Sequence, residues 1–324
     1  MNLVVLDGYT VDPGDNPFDG LKRFGELTVY ERTAAESVVA RAKEADILLT
    51  SKVRLTEELL AQLPKLRFIV ELATGVDNID IAAAGRRGIP VANVPDYSSP
   101  AVAQHTLALL LALTNRVAEH AALVASGEWI ASPDFAFWRH PLLELSGKRM
   151  GLVGLGRIGS RVAALAHGLG MEVVAHSPRW RELPECVPVG WLPQEELFAT
   201  ADVVSLHCPL TSENRGFVDE RLLLTMKREA LLINTARGAL VNEHDLAMAL
   251  NSGVIAGAAL DVLAQEPMAA DNPLRTAKNC LITPHLAWAT LAARRRLMAT
   301  VVANVAGFTS GVPANVVNEQ HLSK

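Results

Sequence analysis

Cysteine, aromatic residues and long apolar runs are all scarce in this chain, and each scarcity closes off a class of protein. Three cysteines, Cys186, Cys208 and Cys280, show no C-x-x-C pairing, and an odd count argues against a disulfide framework. No cluster of His, Cys and carboxylate has zinc spacing, so no metal is expected. The longest apolar-leaning stretch, Ala101 to Leu113, contains Gln104 and His105 and is too short to span a bilayer. A formal net charge of −5 gives no whole-chain attraction to nucleic acid or anionic lipid. Met1-Asn-Leu-Val-Val-Leu-Asp7 enters a strand directly and lacks the basic flank of a signal peptide. The expectation is a soluble cytoplasmic protein with reduced thiols, partnered by neither nucleic acid nor membrane.

What is present is apolar: half of the 324 residues are hydrophobic, enough for about two domains with sizeable cores. Short apolar runs at 3–6, 27–30, 47–50, 68–72 and 90–93 read as strands, with helical patterns such as 34–44 and 57–63 between them. That alternation indicates parallel βαβ units. Ser99-Pro100 starts a long helix through about Ala125. An aromatic-rich segment, Gly127 to Pro141, has neither helical nor strand period. Alternation resumes from Lys148 to Thr283, and a last helix runs from Thr290 to about Phe308.

Met150-Gly-Leu-Val-Gly-Leu-Gly-Arg-Ile-Gly-Ser160 carries the most information. An apolar run meets glycines at 154, 156 and 159, then a helical segment and a second apolar run, Met171 to Ala175. Gly154 can supply the tight turn, Gly156 the close approach of backbone to a pyrophosphate, and Gly159 the packing of helix on strand. First-turn amides of the helix would hold the phosphate charge. A bare G-x-G-x-x-G is weak; in this strand–turn–helix–strand setting it points to dinucleotide binding.

The chain also echoes itself. Ala45-Asp-Ile-Leu-Leu resembles Ala201-Asp-Val-Val-Ser, and residues 59–75 line up with 222–238. Two related doubly wound units are therefore expected, with equivalent loops at Ala73-Thr-Gly75 and Ala236-Arg-Gly238 and an active site in a cleft between the units.

Three loop residues fit acid–base chemistry: Arg237, Glu266 and His285. Reduction of a 2-keto acid needs a proton for the ketone oxygen, which an imidazolium at His285 can donate, stabilised and oriented by Glu266. Arg237 would clamp the substrate carboxylate through its planar fork. Taken singly, each is equally at home as a solvated loop charge or a helix cap.

Jointly, Asn234-Thr-Ala-Arg-Gly238, Ala259-Leu-Asp-Val262, Gln265-Glu-Pro267 and Thr283-Pro-His-Leu-Ala-Trp288 look like the NAD(P)-dependent D-2-hydroxyacid dehydrogenases. The resemblance spans nearly the whole chain, including Ala73-Thr-Gly-Val-Asp-Asn-Ile-Asp80 and Leu206-His-Cys-Pro-Leu-Thr211. It implies two Rossmann-like α/β domains: a substrate domain of 1–98 and 290–324, and a cofactor domain of 99–289. It makes Arg237, Glu266 and His285 the catalytic set, and the amides of Gly75 and Val76 the receptor of the substrate carboxylate. Lys52, Trp138 and Trp288 would border the substrate.

By the same resemblance, cofactor contacts fall on Gly154, Gly156, Arg157, Ile158 and Gly159, then on Ser177, Pro178 and Arg179. His207, Cys208 and Pro209 would line the cofactor through backbone, joined by Thr235, Ala236 and Ala287. Thr106 would add a further contact, and Asp261 and His285 would lie near the nicotinamide. Ser132-Pro-Asp-Phe-Ala-Phe-Trp138 is most similar to the glycerate dehydrogenase and hydroxypyruvate/glyoxylate reductase branch. A homodimer is implied, built on the Ser99 to Ser126 helix and the aromatic segment, although Phe135 and Trp138 are also plausible core residues. His105 reads as a packing residue.

Two departures matter. Ser177 stands where NAD-selective relatives carry a carboxylate, and Arg179 or Arg181 is placed to pair with a 2′-phosphate, which favours NADP(H) over NAD(H). The alternative is that both arginines face solvent. Ala287-Trp288 replaces two glycines common in relatives. Rival readings are a phosphoglycerate dehydrogenase, a formate dehydrogenase (which Glu266 argues against) and a nucleotide-sensing co-repressor of the same fold.

Overall fold

The computed structural model describes residues 1–178 and 187–322. It contains two parallel-sheet α/β units: Met1–Ser98 with Trp288–Lys324, and Ser99–Ala287.

In the first unit the apolar runs become β1 (Asn2–Val5), β2 (Glu26–Val29), β3 (Ile47–Thr50), β4 (Phe68–Glu71) and β5 (Val91–Ala92). They pair in parallel in the order β2-β1-β3-β4-β5. Every residue of β3 and β4 is buried, as expected of strands covered on both faces. Helices α1 (Val38–Ala42) and α2 (Glu57–Leu60) are shorter than the patterns at 34–44 and 57–63, and α3 (Ile81–Arg86) follows β4. Side chains cap the last two: Thr56 accepts from the Leu59 amide, and Asp80 from that of Ala83.

The second unit holds α4 (Ser99–Asn115), α5 (Val117–Ala125), β6 (Arg149–Val153), α6 (Arg157–Gly168) and β7 (Glu172–His176). It continues with β8 (Val189–Trp191), α7 (Gln194–Thr200), β9 (Val203–Leu206), α8 (Glu220–Leu223) and β10 (Leu231–Asn234). Helix α9 (Glu243–Ser252), β11 (Gly257–Leu260) and β12 (Cys280–Ile282) complete it. Its seven strands are all parallel, ordered β12-β11-β10-β9-β6-β7-β8. One face is sealed by Phe198, Leu222 and Leu246, the other by Leu110, Val162 and Ala166. Val153 is in register with Leu206, and Asn234 with both Leu206 and Leu260. Loops leaving these strands therefore share one edge of the sheet, where ligands of such folds bind.

The internal echo is physical: β9, α8 and β10 repeat β3, α2 and β4, and Asp219 caps α8 as Thr56 caps α2. One expectation needs correction. The single helix expected from Ser99 to Ala125 is broken into α4 and α5, which diverge by 54°. Arg116 between them is left-handed at φ +48° and donates to Asn279 Oδ1 at 3.1 Å. A lone left-handed residue leaves the apolar period on either side intact, so periodicity did not reveal it. No single helix among the described residues is long and apolar enough to cross a membrane. The last helix, α10 (Leu291–Thr309), belongs to the first unit, where Phe308 stacks on Phe68 at 4.4 Å between ring centroids.

Candidate active site

The glycine turn comes first because its three glycines are held by different forces. Gly154 ends β6 at φ +102°, and a Cβ there would lie 2.7 Å from the His207 carbonyl. A Cβ on Gly159 would lie 2.2 Å from the Gly154 oxygen, so helix and turn touch backbone to backbone. Gly156 is different: it caps α6, and a Cβ there would meet no atom within 4 Å. Space kept free beside a helix N-terminus, where Arg157, Ile158 and Gly159 begin the first turn, fits a dinucleotide pyrophosphate.

Neighbouring loops complete that edge. His207 donates its amide to Val153 at 2.8 Å, and its Nε2 lies 2.9 Å from the Ser205 hydroxyl. Burial pushes the His207 imidazole down to about 4, so it is neutral at pH 7. Burial likewise pushes the Cys208 thiol up to about 11. Neither residue belongs to a metal-binding cluster among the described residues. Pro209 is exposed beside them. Ser177 is half-buried and Pro178 exposed just past β7, whereas Arg179 and Arg181 lie outside the described residues.

Arg237 leaves β10 on a loop organised by the buried Asn234. The Asn234 Oδ1 accepts from the Ala236 amide at 3.0 Å, and its Nδ2 donates to the Arg237 carbonyl at 2.9 Å. Arg237 itself is half-buried, and Nη1 donates to the Ala236 carbonyl at 2.8 Å. The next residue, Gly238, is pressed so closely on the β11 loop that a Cβ would fall 1.8 Å from the Leu263 carbonyl carbon. That loop carries Glu266, whose Oε1 accepts from the Leu263 amide at 2.9 Å.

Its other oxygen, Oε2, accepts from His285 Nδ1 at 2.6 Å. With Nδ1–H engaged, Nε2 is the ring atom left for a substrate. His285 sits at φ +53°, a conformation uncommon for a side-chain-bearing residue, and its amide donates to the Asp261 carbonyl at 2.8 Å. Asp261 anchors the same loop: Oδ1 takes the Thr283 hydroxyl at 2.6 Å and the Leu286 amide, and Oδ2 the Ala287 amide. Its burial opposes ionisation, but hydrogen bonds from His105, Thr283 and the two amides prevail and hold the carboxyl below its ordinary range.

The second unit thus brings Arg237, Glu266 and His285 onto adjoining loops with the glycine turn. Thr106 and Thr235 also join, their hydroxyls 2.9 Å apart. His105, read from the sequence as a packing residue, instead places Nε2 3.1 Å from the Thr283 hydroxyl and 3.5 Å from Asp261. Ser205 was missed and Asn234, though part of a quoted motif, was given no role; a polar residue at or near the end of an otherwise apolar strand run is the signal that would have found them.

The first unit holds all but one of the remaining residues. Lys52 follows β3, where its amide donates to Asp7 Oδ2 at 2.6 Å. Gly75 and Val76 lie on the loop after β4, and their N–H groups donate no hydrogen bond to another backbone group among the described residues. Trp288 meets Tyr97 edge to face at 6.3 Å. Trp138 lies on the aromatic segment of the second unit, 66% exposed.

Residues 107–287 match the family described as D-isomer specific 2-hydroxyacid dehydrogenase, NAD binding domain. The chain belongs to the D-isomer specific 2-hydroxyacid dehydrogenases. Among relatives, the hydroxypyruvate reductase of Blautia hydrogenotrophica is 43% identical over 98% of this chain and all of that one. The NADPH-dependent glyoxylate/hydroxypyruvate reductase of Sinorhizobium meliloti, solved with NADP and malonate, superposes with a TM-score of 0.85. It is 28% identical and is covered over 98% of its length by 100% of this chain. The D-lactate dehydrogenase of Aquifex aeolicus, complexed with NAD and lactic acid, gives 0.85 at 30% identity, over 98% of this chain and 99% of that one. Members of this family thus bind either nicotinamide dinucleotide, and the open cradle at Gly156 fits such a cofactor.

Proposed function

We propose that this protein reduces a small 2-keto acid, hydroxypyruvate or glyoxylate, to the D-2-hydroxy acid with NAD(P)H. The observation that carries the reading is the His285–Glu266 pair, 2.6 Å apart on loops adjoining the glycine turn. Likeness to the Blautia and Sinorhizobium reductases supports hydroxypyruvate and glyoxylate as substrates.

A bound nicotinamide supplies the hydride to the substrate's C2. The residues of this chain do the rest. His285 delivers the proton from Nε2 to the carbonyl oxygen, and Glu266 holds the ring by Nδ1 and balances the imidazolium charge. Arg237 clamps the carboxylate and polarises the carbonyl, while the Gly75 and Val76 amides receive the carboxylate oxygens. Lys52, Trp138 and Trp288 border the substrate. Asp261 holds the loop of His285 and would lie near the nicotinamide of a bound cofactor.

NADP(H) is the favoured cofactor in this proposal. Support comes from Ser177, which puts no carboxylate at the end of β7 to repel a 2′-phosphate. A cytoplasmic homodimer completes it. The apolar surface of Val117, Ile130, Phe135 and Trp138 supports self-association through α5 and the aromatic segment. Light scattering of the purified chain checks the dimer, and cell fractionation the location.

The deciding experiment is a matrix of initial rates: hydroxypyruvate, glyoxylate, pyruvate and phenylpyruvate against NADH and NADPH. The expected result is highest kcat/KM for hydroxypyruvate or glyoxylate with NADPH. No turnover of any keto acid, with the dinucleotide still bound, would overturn the reading.

A further inference from the structure

Glu71, the last residue of β4, is fully buried, and its Oε1 has no hydrogen-bond partner. It occupies the place that Asn234 holds in the second unit, at the head of the equivalent loop. Asn234 spends its side chain on its own loop, on Ala236 and Arg237. Glu71 reaches across instead, and its Oε2 accepts from Asn78 Nδ2 at 3.1 Å. That bond joins the two ends of the stretch 72–77, which presents the Gly75 and Val76 amides.

Neutral bonds also pin the loop. Ala73 accepts from the Val94 amide at 2.9 Å, Thr74 donates to the Val94 carbonyl at 2.8 Å, and Asn78 also donates to the Val53 carbonyl at 3.2 Å. Glu71 is the one acid within this frame that is both fully buried and half unpartnered.

We propose that Glu71 is a positioning residue for the substrate carboxylate: as a neutral acid it closes the 72–77 loop through Asn78 and leaves the amides receptive to an anion, and on losing its proton it places a buried negative charge behind them. This rests on the proposed role of Gly75 and Val76. Burial, before any other cause, pushes the Glu71 carboxyl up to about 9. The charged groups facing it are Asp7 at the end of β1 and Asp77 of the loop, which oppose ionisation, and Lys52 after β3, which favours it together with the Asn78 bond. Glu71 is therefore neutral at pH 7 and ionises near pH 9.

The test is KM for hydroxypyruvate between pH 7 and 10 in the wild type and Glu71→Gln, with kcat recorded alongside and folding checked by circular dichroism at each pH. Ionisations other than that of Glu71 are common to both proteins and cancel in the ratio. The ratio of wild-type to variant KM is expected to rise by about fivefold over this range, the scale for one charge acting through a protein of high effective dielectric constant. The corresponding kcat ratio should stay level. Parallel KM profiles in two active proteins would overturn the role of Glu71 alone. No turnover by either protein at pH 7 would overturn the substrate reading beneath it. Asn78→Ala is the second variant: it should raise KM at pH 7 without altering kcat, and an unchanged KM also counts against the tether.

Discussion

His285 and Glu266 share a 2.6 Å hydrogen bond although 19 residues separate them, and the imidazole is presented from a left-handed backbone at φ +53°. Two further contacts fix that geometry. The Asp261 carbonyl takes the His285 amide, and the Gly238 backbone presses on Leu263 at the root of the Glu266 loop. The loops of both side chains are thus held by main-chain contacts with their neighbours.

Replacing His285 by Ala should lower kcat by at least about a hundredfold, the usual scale for a lost general acid. Glu266→Gln keeps a hydrogen-bonding group but removes the charge that balances the imidazolium, so it should cost less than the His285 change while lowering kcat rather than raising KM. Steady-state kinetics with hydroxypyruvate check both, and near-normal turnover in His285→Ala would remove it from the reaction.

Arg237→Lys keeps the charge and loses the fork, so keto-acid reduction should fall by about tenfold or more in kcat/KM. Cofactor affinity, read by NADPH fluorescence, should move little. Unaltered kinetics would rule out the clamp.

The glycines at 156 and 159 should respond in opposite ways. Gly159→Ala forces a methyl into the Gly154 carbonyl and should cost more than about 2 kcal/mol in urea denaturation. Gly156→Ala meets no protein atom but replaces a favoured N-cap residue, so its cost should stay at about 1 kcal/mol. Its penalty should fall on the dinucleotide, with Kd raised at least about tenfold because the methyl occupies the pyrophosphate's approach. Unchanged cofactor affinity in Gly156→Ala would move the phosphates elsewhere.

Ser177→Asp should turn the cofactor preference toward NADH, since a carboxylate repels a 2′-phosphate and accepts from ribose hydroxyls. The ratio of kcat/KM for the two cofactors is the readout. If that ratio stays put, the 2′ position is read by other residues.

Glu71 also makes stability depend on pH, with a sign that follows from its raised value. The carboxyl titrates at about 9 in the folded chain and at about 4.5 when unfolded. Between those values the unfolded state binds fewer protons, so the wild type loses stability as pH rises from about 4.5 to about 9 and levels off above. Glu71→Gln abolishes this titration. The Tm of the variant minus that of the wild type should grow across that window, and a constant difference would show that Glu71 is already ionised.

The parallel α/β architecture, the duplication and the nucleotide turn were legible along the chain, because each is written in local signals. Four-residue apolar runs such as 47–50 and 231–234 report burial on both faces, and three glycines report where backbone must touch backbone. The order of Arg237, Glu266 and His285 pointed to the same group of strand-end loops, and the His285–Glu266 hydrogen bond joins two of them. Other features depend on partners far away in sequence. His105 reaches Thr283 and Asp261 across 178 and 156 positions, and nothing in a helical apolar pattern separates such a histidine from a packing residue. The break at Arg116 and the inverted backbone of His285 are single-residue conformations, stabilised by neighbours rather than by propensity. Glu71 is the sharpest instance. Composition records it as one more surface acid, and only the folding of β4 between two other strands removes it from water, so its charge is decided by the tertiary structure alone.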